Sequence, residues 1–73
     1  MKRDVRRKVL DLLPGEAAFA EVFATARSDG KVIAWVMWRK RPYGITHGIL
    51  ALDITDMADL VKVGDVVYRG GNA

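Results

Sequence analysis

Ser28-Asp29-Gly30-Lys31 decides the fold. Asp-Gly supplies the positive backbone angles of a type I′ turn, whose twist suits two antiparallel strands. Downstream, Lys31–Arg41 carries Val32, Ile33, Trp35, Val36 and Trp38, a β-branched and aromatic run that reads as a strand. Upstream, Ala17–Ala26 fits two patterns. Phe19, Val22, Phe23 and Ala26 would line a helix face, while Ala18, Ala20, Val22, Ala24 and Ala26 alternate with Phe19, Glu21, Phe23 and Thr25 as in a strand. The turn breaks the tie in favour of a hairpin, Ala17–Arg27 with Lys31–Arg41. The helical alternative over 16–26 would instead give a small winged-helix DNA-binding regulator, with a recognition helix exposing little but Glu21 and Thr25.

Working outward, Asp4 is placed to cap a helix whose apolar stripe is Val5, Val9, Leu12 and Leu13. Pro14 ends it, and Leu13-Pro14-Gly15-Glu16 suits a type II turn. Pro42-Tyr43-Gly44 is a turn, and 45–54 reads as a third strand with Ile49, Leu50, Leu52 and Ile54 apolar. Thr55 is placed to cap a short helical turn from Asp56 to Val61. Gly64-Asp65 launches a last strand, Val66–Arg69, with the Asp65 carboxylate expected on a neighbouring backbone N–H. The run Val61–Val67 looks like the turn-and-strand entry of small β-barrels. The expected fold is α+β: a single domain, 1–73, in which a basic helix or arm (1–14) packs on a β-rich body (16–69). That body is a small antiparallel sheet of three to four strands with a barrel-like tendency, and 70–73 form a frayed tail.

With 73 residues there is room for one core, and a domain this small buries only roughly 60% of its unfolded surface. There is no cysteine and a single histidine, His47. Disulfides, thiolate metal sites and cysteine nucleophiles are therefore excluded, and His47 has no nearby partner for catalysis. No enzyme activity, metal or cofactor is expected. The longest apolar stretch without a charge, Val32 to Trp38, is far short of the roughly 20 residues that cross a bilayer. Met1-Lys2-Arg3-Asp4 followed by Val9-Leu10-Asp11-Leu12-Leu13 is too short and interrupted for a signal peptide. A cytoplasmic monomer without membrane contact is expected.

The net charge of +3 hides an asymmetry. Residues 1–41 carry ten Lys/Arg against five acids, whereas 42–73 carry two against four. Two blocks concentrate the positive charge: Lys2, Arg3, Arg6, Arg7 and Lys8, then Arg39, Lys40 and Arg41. Such clusters favour phosphate or an acidic protein surface. The first block opposes the helix dipole at its positive end, where acids would stabilise, so folding alone does not account for it. Trp35 and Trp38, three apart on a strand, point to opposite faces. Trp38 and Tyr43, beside the second block, are the candidate aromatics for stacking a base in a single-stranded RNA-binding barrel.

A cysteine-free chain of this size, with Met1-Lys2-Arg3-Asp4-Val5-Arg6-Arg7-Lys8 before a β-rich body carrying Arg39-Lys40-Arg41, resembles the small phage-encoded regulators of bacterial host RNA polymerase. In size and layout it is similar to the transcription inhibitors and antiterminators of phages of xanthomonad bacteria. The resemblance covers the whole chain and implies binding to polymerase large subunits near the RNA exit region. It further implies displacement of the σ factor and suppression of termination. Nascent RNA or DNA are additional partners it would allow.

Overall fold

The computed structural model describes residues 1–70. Its elements run α1 (Arg3–Leu12), β1 (Phe19–Ser28), β2 (Lys31–Arg39), β3 (Gly48–Asp53), a 3-10 turn (Thr55–Leu60) and β4 (Val66–Tyr68). The four strands form one antiparallel sheet in the order β3-β2-β1-β4. The fold is α+β. The sheet is open, with β3 and β4 at its edges, so it does not close into a barrel. The tail expected over 70–73 lies, from residue 71 on, outside the described residues.

Asp29 and Gly30 both take positive φ, 52° and 77°, and Ser28 pairs with Lys31. That is the type I′ geometry, and β1 (Phe19–Ser28) stands where the helical alternative over 16–26 would have lain, starting two residues later than the strand expected from Ala17. The winged-helix alternative thereby loses its recognition helix. Strand β2 then alternates strictly. Val32, Ala34, Val36 and Trp38 are buried, while Ile33, Trp35, Met37 and Arg39 are half-buried on the other face. Strand β1 does not keep one alternation. Its register slips between Val22 and Ala24, leaving Phe23 as an extra residue. The slip sits where Val22 turns its backbone to the 62–65 turn, accepting from Gly64 N at 2.8 Å and donating to Asp65 O at 2.9 Å. A bulge shifts everything beyond it to the opposite face. Ala20 and Val22 therefore point into the core, and Ala24 and Ala26 share the outer face with Trp35 and Ile33.

The core joins α1, the inner sheet face and the 3-10 turn through Val5, Val9, Leu13, Val22, Val36, Trp38, Leu52, Ile54, Met57 and Val67. The helix stripe is Val5, Val9 and Leu13, four residues apart, with Leu10 packed at its margin. Leu12, expected inside, is about half exposed. Capping also departs from expectation. Lys2 is the N-cap residue and makes no side-chain cap bond, while Asp4 lies inside the first turn. The turn after the helix is Pro14–Ala17, closed by Ala17 N on Pro14 O at 2.9 Å. Gly15 keeps negative φ there, so the type II turn over 13–16 is not formed. Thr55 does not cap the 3-10 turn. Its hydroxyl accepts from Val32 N at 3.1 Å and donates to Asp53. Asp65 behaves as expected, its carboxylate accepting from Lys62 N at 2.8 Å. Gly48 is required by close approach, since a Cβ there would lie 2.8 Å from Trp38 Nε1.

Candidate functional site

The helical spacing of Arg3, Arg6, Arg7 and Leu10 puts them on neighbouring positions of one helix face. In the fold this face borders the end of β4. The result is an open groove of about 710 Å³, lined by Met1, Arg3, Arg6, Arg7, Leu10, Asp11, Tyr68, Arg69 and Gly70. Asp11 is its single acid against four guanidinium groups. Arg3 and Arg7 are exposed, Arg6 half-buried, and none of the three forms an ion pair among the described residues. Arg6 Nη2 reaches Tyr68 O only at 3.5 Å. These guanidinium groups keep most of their donors free for a planar anion.

Arg69 closes the groove and does a different job. Its Nε donates to Ala17 O at 2.9 Å, and its Nη2 to Leu10 O at 2.9 Å and Pro14 O at 3.3 Å. It thus adds a second donor to the Leu10 and Pro14 carbonyls, which already accept from Leu13 N and Ala17 N, and ties helix, turn and sheet together. The sequence reading did not single it out. An isolated arginine after a strand carries no local signal, and only the β1–β4 register delivers it to the helix end.

Beside the groove, Tyr68 meets Phe19 edge-on with ring centroids 5.0 Å apart. The Arg39 guanidinium lies over Phe19, 5.1 Å from its centroid. An arginine–aromatic–aromatic row therefore runs from the end of β2 to the groove. Arg39 is partly committed to the fold: Nη1 donates to Pro42 O at 3.2 Å, and its buried Nε has no partner among the described residues. Lys40 Nζ pairs with Glu16 at 3.3 Å. Arg41 is exposed and begins the turn closed by Gly44 N on Arg41 O at 3.0 Å. Tyr43, within that turn, is fully exposed.

One aromatic assignment changes. Trp38 is only 6% exposed, inside the core and against His47 at 4.7 Å between centroids. It has no free face to stack a base, which removes the anchor of the single-stranded RNA-binding barrel. The tryptophan with an accessible face is Trp35, on the outer side of the sheet. The two-faces rule identified the alternative without deciding which tryptophan faced out. Lys2 and Lys8 are exposed at α1, outside the residues lining the groove. Among the described residues no three His, Asp or Glu side chains converge on a metal-sized site. No helix there is long and apolar enough to cross a membrane. Comparison with protein-family models, curated proteins and solved structures gives no significant match.

Proposed function

We propose that this chain is a non-catalytic regulator that docks on bacterial RNA polymerase through the α1 groove, inhibiting initiation, favouring antitermination, or both. The observation that carries it is the convergence of Arg3, Arg6 and Arg7 on one open groove without ion-pair partners among the described residues. Guanidinium groups so presented bind carboxylates or phosphates in bidentate fashion. Their position at the positive end of the helix dipole costs stability, which is the mark of charge kept for a partner. The resemblance to phage-encoded polymerase regulators supplies the partner's identity. An acidic subunit surface is the first contact, with emerging RNA as a second source of anions, and the bacterial cytoplasm is the compartment this implies.

The test is affinity for purified bacterial RNA polymerase across a salt series, for the wild-type chain and for Arg6→Ala/Arg7→Ala. Arg7 is exposed and the half-buried Arg6 makes only one 3.5 Å bond, so the variant should keep its fold, which its circular dichroism spectrum checks. Its binding should weaken, and its salt dependence should become shallower. Equal affinity and slope would show that the groove is not used. No binding by the wild type would end the polymerase reading, and a parallel titration with naked RNA separates phosphate from acidic-protein recognition.

A further inference from the structure

We propose that β3 is the contact edge of a twofold homodimer, in which the β3 strands of two copies pair antiparallel and join two sheets into one. Native sheets blunt their free edges with short strands, charges, prolines or bulges. Two stretches of edge here are blunted. β4 is only three residues long. The part of β1 that β4 leaves uncovered carries the bulge at Phe23 and the ion-paired Arg27. β3 has a single charge, Asp53, at its very end. Gly48-Ile49-Leu50-Ala51-Leu52 holds no charge, no proline and no bulge before Asp53.

The register says which backbone groups are free. Ile54 N donates to Val32 O at 2.9 Å, in line with the pairs Ala34↔Leu52 and Val36↔Leu50. Because an antiparallel strand turns successive residues to opposite sides, Leu50 and Leu52 bond inward to β2. Ile49, Ala51 and Asp53 then present N–H and C=O at the open edge. A twofold axis at Ala51 sets Ala51 opposite Ala51 of the second copy and Ile49 opposite its Asp53, for about six new backbone hydrogen bonds. Leu50, half-buried at the margin of the core, meets the second copy's Leu52 on the inner face. Ile49, now 58% exposed, is covered on the outer face.

Charge selects a second copy as the occupant. Antiparallel pairing carries the loop that follows β2, with the exposed Arg41, alongside Asp53 at the end of β3 and the exposed Asp56 beyond it. Symmetry makes this contact twice. The Lys2–Lys8 block sits on α1, which packs against β4 at the far edge of the sheet, so the two most basic surfaces stay apart. One strand pair buries less than the roughly 1,200 Å² of a standard interface. The dimer is therefore weak and concentration-dependent, in contrast to the monomer expected from sequence.

The purified full chain is followed by sedimentation equilibrium from ~10 µM to ~1 mM, the affinity range of small interfaces. The weight-average mass should rise from one chain toward two. Ala51→Lys, which places a charge on the edge without touching the β2 ladder, should stay at one chain across the range with an unchanged circular dichroism spectrum. The chain has no cysteine, so Ala51→Cys is a clean second probe. Hydrogen-bonded antiparallel partners have Cα atoms about 5.5 Å apart, within disulfide range. Mild oxidation should therefore link Ala51→Cys far more completely than Ala26→Cys on β1. A wild-type mass of one chain at every concentration overturns the proposal. Preferential linking at position 26 would also overturn it, by moving the contact to the β1 edge.

Discussion

Replacing Arg69 by alanine removes three hydrogen bonds at once, and their settings allow the loss to be apportioned. The Nε bond to Ala17 O, 2.9 Å, is partly buried. A charged hydrogen bond in that setting is worth about 1.5 kcal/mol, the lower end of its range. The Nη2 bonds to Leu10 O and Pro14 O are exposed, so water takes over the carbonyls and each contributes only about 0.5 kcal/mol. The expected loss is about 2.5 kcal/mol, against a total of roughly 4–11 kcal/mol for a domain of this length. For 60–100 residues each kcal/mol moves the midpoint by about 4–8 °C, so Tm should fall by about 10–20 °C while the chain still folds. Arg69→Lys keeps a cation but loses the fork, and should recover less than half. Urea and thermal unfolding followed by circular dichroism give the stability. Amide exchange gives the location, because the loss of protection should concentrate in α1. A change under about 0.5 kcal/mol, or protection lost evenly across the sheet, would refute the assignment of Arg69 as the tie between the layers.

Gly48→Ala forces a methyl group to within 2.8 Å of the buried Trp38 indole, an overpacking expected to cost about 1–3 kcal/mol. Trp38→Phe in the same chain should return part of that, a non-additivity read from a double-mutant unfolding cycle. The Asp53 carboxyl is held below the ordinary aspartate range by the Thr55 hydroxyl, then by the Thr55 backbone N–H, with a smaller contribution from Lys31. A depressed folded pKa means the unfolded chain takes up its proton first, so stability is complete above the unfolded value and drains away as pH falls through the folded one. Asp53→Asn should therefore be less stable at pH 7 and show a flatter acid limb below about pH 4. Parallel pH profiles for the two proteins would contradict this.

The fold was legible where the signal was local. Asp29-Gly30 can do little but turn a hairpin, and the β2 alternation that follows marks its own inner face. Legibility ended where distant parts of the chain decide. The alternating alanines of β1 look like one face, yet the bulge at Phe23 divides them, beside the bonds Val22 makes to a turn forty residues later. Leu12 and Leu13 are equally apolar neighbours, and only the direction of the chain into Pro14 selects Leu13 for the core. The basic block on α1 was visible because it contradicts helix electrostatics. Its association with Tyr68 and Arg69 was not, since β-pairing at long range leaves no trace in either segment. Trp38 was misassigned for the converse reason: adjacency to charge in sequence says nothing about which side of a pleat faces water.

The strand order has a consequence for how the chain assembles. β1 and β2 are joined by a two-residue turn, and β2 and β3 by the loop 40–47, so three strands can pair across connections far shorter than the one to β4. β4 must cross the span from Glu21 to Val66 to find its place, and closing a longer loop costs more chain entropy. The residue immediately after β4 is the one that fastens α1. The helix nearest the start of the chain is thus secured by almost the last described residue, and until β4 docks it has only its apolar stripe to hold it. Loop length thus favours pairing among β1, β2 and β3 over docking of β4, and α1 gains its Arg69 bonds only once β4 is in place.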